Sequence, residues 1–124
     1  MSLLFVRAYA ALVRFDFFLA RGDFAALYDA VRRCPCRNVA VVHETTVSVC
    51  SAVDLACIWY WKHVLCLQRS AAAACLLKRY GVPAELVIGA QHMPFRAHAW
   101  VEAQGQVVND KSYTKEMYAV LDRC

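Results

Sequence analysis

The sequence predicts an α+β domain, with helices first and a small antiparallel sheet last. Three observations lead to this. Apolar residues recur at helical spacing through most of the chain before Gly81, an alanine-rich stretch carries a cysteine at its opening, and from residue 84 the pattern changes to period two.

Residues 3–20 read as a helix that is apolar nearly all round, with Arg7, Arg14 and Arg21 forming one narrow polar stripe. Such a helix belongs in a core, and a helix that docks another protein is the other reading. Gly22-Asp23 breaks and recaps the chain, and Phe24, Leu27, Tyr28 and Val31 mark a second helix ending near Arg33. Cys34-Pro35-Cys36-Arg37-Asn38 is a turn, and residues 39–42 admit a strand. Val49, Val53, Ala56, Cys57 and Tyr60 keep helical spacing, which predicts a helix over residues 45–61 despite a β-branched composition. Trp59, Tyr60 and Trp61 read as packing residues, with a substrate-facing aromatic wall as the alternative.

Residues 65–81 organise the chain. Four consecutive alanines favour helix, Lys78 and Arg79 suit its last turn, and Gly81 followed by Pro83 stops it. Cys66 therefore opens a helix, where free backbone N–H groups and the positive end of the dipole favour a thiolate. Ser70, Ala73 and Leu77 share its face, and the small residues nearest the cysteine let another layer approach.

Residues 84–88 suit a buried strand, and residues 89–95 a loop. Residues 97–102 alternate, so His98, Trp100 and Glu102 face one way and Ala97, Ala99 and Val101 the other. Gly105 marks a hairpin. A three-residue loop, Ala103-Gln104-Gly105, pairs Glu102 with Gln106 and sets His98 opposite Asp110. A two-residue loop instead sets Asp110 opposite Ala99, so the three-residue loop is the expectation. Residues 111–124 look polar and then weakly helical.

With 124 residues, one domain is expected: a helical N-terminal part at 1–64 and a catalytic core at 65–124. An apolar content of 60% is high for a small monomer and implies a surface that meets a partner. No apolar run reaches the length of a membrane span, and the start lacks a signal-peptide pattern, which makes cytoplasm the expected compartment. Seven cysteines in such a chain imply reduced thiols, and no zinc spacing stands out. The net charge of +4 allows an acidic peptide partner and does not support nucleic-acid binding.

A cysteine at a helix N-terminus, a histidine on a strand and an aspartate on the paired strand are the parts that amide cleavage by a thiol requires. Cys66 would attack, His98 would hold the ion pair and protonate the leaving amine, and Asp110 would orient the imidazole. No cofactor or metal enters. Cys75 is the rival nucleophile, mid-helix and without the dipole; His43, His63 and His92 lack a predictable acidic partner.

The stretches Leu65-Cys-Leu-Gln-Arg-Ser, Tyr80-Gly-Val-Pro-Ala-Glu-Leu-Val-Ile-Gly89, Phe95-Arg-Ala-His-Ala-Trp-Val-Glu102 and Val108-Asn-Asp110 together resemble the transglutaminase-like leader peptidases of lasso-peptide maturation, the protease half of a split maturation protein. The resemblance runs from Cys66 to Asp110 and implies a papain-like or transglutaminase-like core with catalytic roles on Cys66, His98 and Asp110. It also covers Arg69 and Ser70, without assigning them a step. It implies a ribosomally made precursor peptide as substrate, a separate leader-recognition protein as partner and a lasso cyclase acting on the product. Acyl transfer of transglutaminase type and a non-catalytic peptide-binding scaffold are the alternatives. Cys34, Cys36 and the aromatic cluster at residues 59–61 have no counterpart in the resemblance.

Overall fold

The computed structural model describes residues 2–37, 42–92 and 94–124. The elements run α1 (Leu3–Ala20), α2 (Phe24–Arg33), α3 (Val42–Trp59), α4 (Cys66–Arg79), β1 (Glu85–His92), β2 (Phe95–Ala103), β3 (Gln106–Val107), α5 (Thr114–Met117) and β4 (Ala119–Arg123). The fold is α+β, as the periodicities require. The strand expected at residues 39–42 lies largely outside the described residues, and Val42 itself opens α3.

Local chemistry sets the helix boundaries. The Ser2 hydroxyl accepts from the Phe5 N–H, and the Asp23 carboxylate from the Ala26 N–H, capping α1 and α2. Gly81 takes a positive φ of 91° directly after α4, where the Val82 N–H returns to the Leu77 carbonyl.

The sheet is antiparallel, in the order β3-β2-β1-β4. One face, with Leu86, Ile88, Ala99 and Val101, joins the helical core. There the small side chains Ala71, Ala72, Ala73 and Ala74 let α4 pack between the sheet and α1 and α3. The other face carries Val87, Gly89, His98, Trp100 and Glu102, by strand alternation and the β1–β2 register.

Five expectations need correction. The hairpin loop has two residues, because Glu102 pairs with Val107 and Ala103 with Gln106. Gln104 and Gly105 take positive φ values of 54° and 75°, a turn whose twist suits a short hairpin better than the longer loop. The loop expected at 89–95 is mostly strand, since β1 runs on to His92. The weakly helical C-terminus keeps one turn, α5, and then becomes β4, whose partner strand the local pattern does not specify.

Trp59 and Trp61 do not pack: they are 70% and 73% exposed, while Tyr60 between them is buried, bonded to Asp16 and set against Tyr9. α3 ends at Trp59 and the chain bends there, so only Tyr60 of the three turns inward. Finally, Cys34 and Cys75 form a disulfide with their Cα atoms 5.7 Å apart, against the expectation of reduced thiols throughout. The turn after α2 brings Cys34 beside the middle of α4, a proximity that residue counting does not reveal.

Gly89 answers to a close approach. A Cβ there would lie 2.6 and 2.7 Å from ring carbons of Trp100 and 2.8 Å from Cβ of Tyr118. Trp100 has no exposed surface into which it can retreat. Gly89→Ala is therefore expected to destabilise the fold by about 1–3 kcal/mol, read as a lower urea midpoint with an unchanged slope.

Candidate active site

Cys66 is the first residue of α4, and the preceding Leu65 has no side chain able to cap the helix. The first N–H groups of α4 thus receive no side-chain acceptor from the N-cap position. The segment leading into Cys66 is fastened to α1: Lys62 Nζ lies 2.6 Å from Asp16 Oδ1, and the Tyr60 hydroxyl donates to Asp16 Oδ2 at 2.7 Å. The Lys62 bond holds the Asp16 carboxyl below its ordinary value, while burial and the bond to Asp16 push the Tyr60 phenol up to about 12. Gln68, also buried, donates from Nε2 to the Leu12 carbonyl at 2.8 Å. That amide is thereby committed to the core.

His98 Nε2 lies 2.6 Å from Asp110 Oδ2, and both side chains are mostly buried. The imidazole stands beside two aromatic rings, Trp100 at 6.1 Å and Tyr118 at 5.3 Å between centroids, which lie 5.9 Å from each other. Trp100 is held in turn, its indole N–H donating to Glu102, which also accepts from Arg123. With Nε2 on the carboxylate, Nδ1 is the nitrogen left for a reacting group. Among the described residues no hydrogen bond joins the Cys66 thiol to the imidazole, and such contacts commonly tighten only with substrate bound.

The pairing of His98 with Asp110 arises by a route other than the expected ladder. A two-residue loop continued as regular strand would set Asp110 opposite Ala99, yet β3 ends at Val107. The Val108 N–H still bonds to the Val101 carbonyl at 3.0 Å, but the Val101 N–H is taken by the Asn109 side-chain oxygen at 2.8 Å. Asn109 thus closes the ladder with its side chain. The main chain bends there, and Asp110 reaches the imidazole.

The same asparagine ties this bend to α4. Its Nδ2 donates to Ser70 Oγ at 3.0 Å, and Ser70 Oγ donates to the Ala99 carbonyl at 3.1 Å. Arg69 adds a bond from Nη2 to the Asn109 carbonyl at 3.1 Å and lies 4.0 Å from Asp110 Oδ2 and 3.9 Å from Asp54 Oδ1 of α3. Arg69 and Ser70 stand one turn beyond Cys66 on the same side of α4. His98 belongs to the sheet face turned from α4 by alternation, so the connection runs around the edge of β2 that β3 leaves uncovered. Ser70 and Arg69 acquire positioning roles here that the sequence left unassigned, and Asn109, Tyr118 and Asp54 are additional members of the site. Only the Asn-Asp pair after a hairpin hints at Asn109 in the sequence.

The remaining cysteines differ in kind. Burial pushes the Cys50 thiol up to about 11 and also raises Cys57 and Cys124 above the ordinary thiol value. Cys34 and Cys75 are bonded to each other, which removes Cys75 as the rival nucleophile while that bond is intact, and Cys36 is exposed in the segment after α2. His43 and His63 are exposed, on α3 and in the segment before α4. Among the described residues no cluster of His, Cys, Asp or Glu side chains is placed to hold a metal ion.

Burial alone would raise the Asp110 carboxyl; hydrogen bonds from His98 and the Lys111 N–H, with the charges of His98 and Arg69, outweigh it and hold the group below its ordinary value. A carboxyl lowered by folding contributes stability that is whole above its unfolded value near ~3.9 and is lost as pH falls through the lower folded value. Replacing Asp110 by Ala should therefore flatten the acid side of a plot of urea midpoint against pH. Asn109→Ala strands the Val101 N–H and should cost about 1–3 kcal/mol in the same measurement.

Residues 9–123 match the family described as the transglutaminase-like superfamily. A stretch of 56 residues is 39% identical to the Microcin J25-processing protein McjB of Escherichia coli, covering 45% of this chain and 27% of that protein. The aligned stretch is thus well under two thirds of the relative's length. No solved structure gives a significant match. With its helical core, its four-stranded antiparallel sheet and a family match across nearly its whole length, the chain belongs to the transglutaminase-like superfamily.

Proposed function

We propose that this chain is a cysteine peptidase that removes the leader from a ribosomally made lasso-peptide precursor, using Cys66, His98 and Asp110. One observation carries the reading: a His98–Asp110 pair, 2.6 Å apart, is bound through Asn109 and Ser70 to the helix that Cys66 opens. The likeness to a protein named for processing microcin J25 supports a peptide substrate. A single domain, with residues 1–64 as its helical part and 65–124 as its catalytic core, is part of the same proposal.

In this mechanism the Cys66 thiolate attacks the scissile carbonyl, with its proton held on His98 Nδ1. The oxyanion of the tetrahedral intermediate takes hydrogen bonds from N–H groups at the start of α4, among them that of Cys66. Collapse of the intermediate breaks the C–N bond, and the imidazolium gives its proton to the leaving amine, which is the N-terminus of the released core peptide. Asp110 stabilises the imidazolium on the opposite nitrogen. A water, deprotonated by His98, then attacks the thioester and regenerates the thiol. The acid–base steps rest on one histidine.

Presentation of the scissile bond falls to a leader-recognition protein. A groove of about 760 Å³ between α1 and α3, lined by Phe5, Val6, Tyr9, Leu55 and Trp59 among others, supplies an apolar surface for it. Val6, Leu55, Ile58 and Trp59 are all exposed there or nearby in sequence. Among the described residues no helix is long and apolar enough to cross a membrane. Cytoplasmic action and a lasso cyclase acting on the freed amine complete the proposal.

The test is cleavage of a precursor by the full chain, with and without the leader-recognition protein, followed by mass spectrometry. Cys66→Ala should abolish product, His98→Ala should slow it by ~10²–10⁴-fold, and Cys36→Ser should leave it unchanged. Cleavage that survives in Cys66→Ala refutes the mechanism and leaves a binding scaffold. A product carrying an added amine in place of water identifies acyl transfer, the activity after which the superfamily is named. Equal rates without the partner would remove the presentation step.

A further inference from the structure

A second cleft, of about 380 Å³, lies between α1, the C-terminal half of α4 and the segment that follows α2. Four guanidinium groups line it: Arg7 and Arg14 of α1, Arg37 of the segment after α2, and Arg79 in the last turn of α4. The apolar lining includes Phe15, Leu76 and the Cys34–Cys75 disulfide. No acidic residue lines it. Elsewhere four of the other arginines find carboxylates: Arg32 pairs with Asp122, Arg33 with Asp29, Arg69 with Asp54 and Asp110, and Arg123 with Glu85 and Glu102. Among the described residues none of the four cleft arginines has such a partner. Arg7 is held in place nonetheless, donating from Nη1 to the Tyr80 hydroxyl at 2.7 Å.

Like charges gathered without counterions repel, and an anionic occupant relieves that repulsion. We infer that this cleft binds an acidic segment of the peptide substrate, at a site separate from the cysteine. Its assignment to the substrate, though not the binding itself, rests on the peptidase reading above.

The geometry favours spaced carboxylates over a single small anion. Arg7 and Arg14 are about 10 Å apart along α1 by helix rise, and their guanidinium groups are engaged on different rings, Arg7 at Tyr80 and Arg14 over Phe15, which spreads the positive charge along the cleft. A peptide in the polyproline II conformation, which rises about 3.1 Å per residue and returns to the same side every third residue, covers that span in about three residues, so carboxylates at every third position can meet successive guanidinium forks. The apolar lining suits the side chains between them. The aromatic lining residue, Phe15, is fully buried and gives bases no platform, which disfavours single-stranded nucleic acid. Cys75 stands about 14 Å along α4 from Cys66, or some four extended residues, so the acidic segment sits at least that far from the cut.

The test uses the full chain carrying Cys66→Ala and a fluorescein-labelled peptide with aspartate at every third position, read by anisotropy at low and physiological salt. Binding that weakens with salt is expected, together with no binding of the same peptide carrying asparagine for aspartate. The double variant Arg14→Glu/Arg79→Glu, both positions being exposed, should bind at least ~10-fold more weakly. If its urea midpoint falls, Arg14→Gln/Arg79→Gln should give a smaller loss in the same direction. No binding of the acidic peptide, or equal binding by both double variants, overturns the inference. So does an oligothymidylate that binds more tightly than the peptide and is lost with the same substitutions, or displacement of the peptide by inorganic phosphate at matched concentration. Because binding is read without cleavage, failure here leaves the peptidase reading standing, and a wild-type chain that cuts no precursor leaves the binding result standing.

Discussion

The arrangement depends on one buried relay, Asn109 to Ser70 to the Ala99 carbonyl, which joins the bend after the hairpin, the cysteine helix and the central strand. Each group in it has a partner that water cannot replace: Ser70 is fully buried, and the Val101 N–H that Asn109 also satisfies belongs to a buried residue. Unpaired polar groups at such depth are costly, so the three elements hold one another in a single register. Asp110 inherits its position from its neighbour. The chain does not need a long third strand to hold it, since one side-chain amide takes over where the ladder stops.

Charge reinforces that geometry. Arg69 spans from Asp54 on α3 to Asn109 and Asp110, and its Nε is buried without a partner among the described residues, so two of its three nitrogens do the linking. On the far side of the sheet Glu102, nearly buried, joins the Trp100 indole to Arg123 of β4; burial raises that carboxyl, and the bonds from Trp100 and Arg123 with nearby positive charge bring it below its ordinary value. The imidazole is thus steadied at Nε2 by a carboxylate and beside its ring by Tyr118 and by Trp100, which Glu102 tethers.

The features legible in the sequence were those that local chemistry decides. The apolar run with its arginine stripe placed α1, and Asp23 as a cap, the alanine run and Gly81 placed α2 and α4, because each acts within a few turns of where it stands. What local chemistry leaves open went astray. Loop length in the hairpin turned on whether Gln104 would accept a left-handed conformation, which residue type does not dictate. β4 exists because β1 offers it an edge, and Cys34 meets Cys75 because the turn after α2 runs beside α4; both are long-range facts. The approach of His98 to Asp110 was expected from a ladder and instead comes from a break in one. Correct neighbours can follow from an incorrect path, since a turn of either length returns the chain toward the same end of β2.

The absence of a side chain at Gly89 has a wider consequence. The indole of Trp100 fills the space that a Cβ would take, so the two positions share one volume and cannot grow independently. A bulkier residue at Gly89 of β1 requires a slimmer one at the diagonal position of Trp100 or a retreat of Tyr118, and either change thins the aromatic wall against the imidazole. Variation at these three positions should therefore come as coordinated exchanges, with the volume given up at one regained at another.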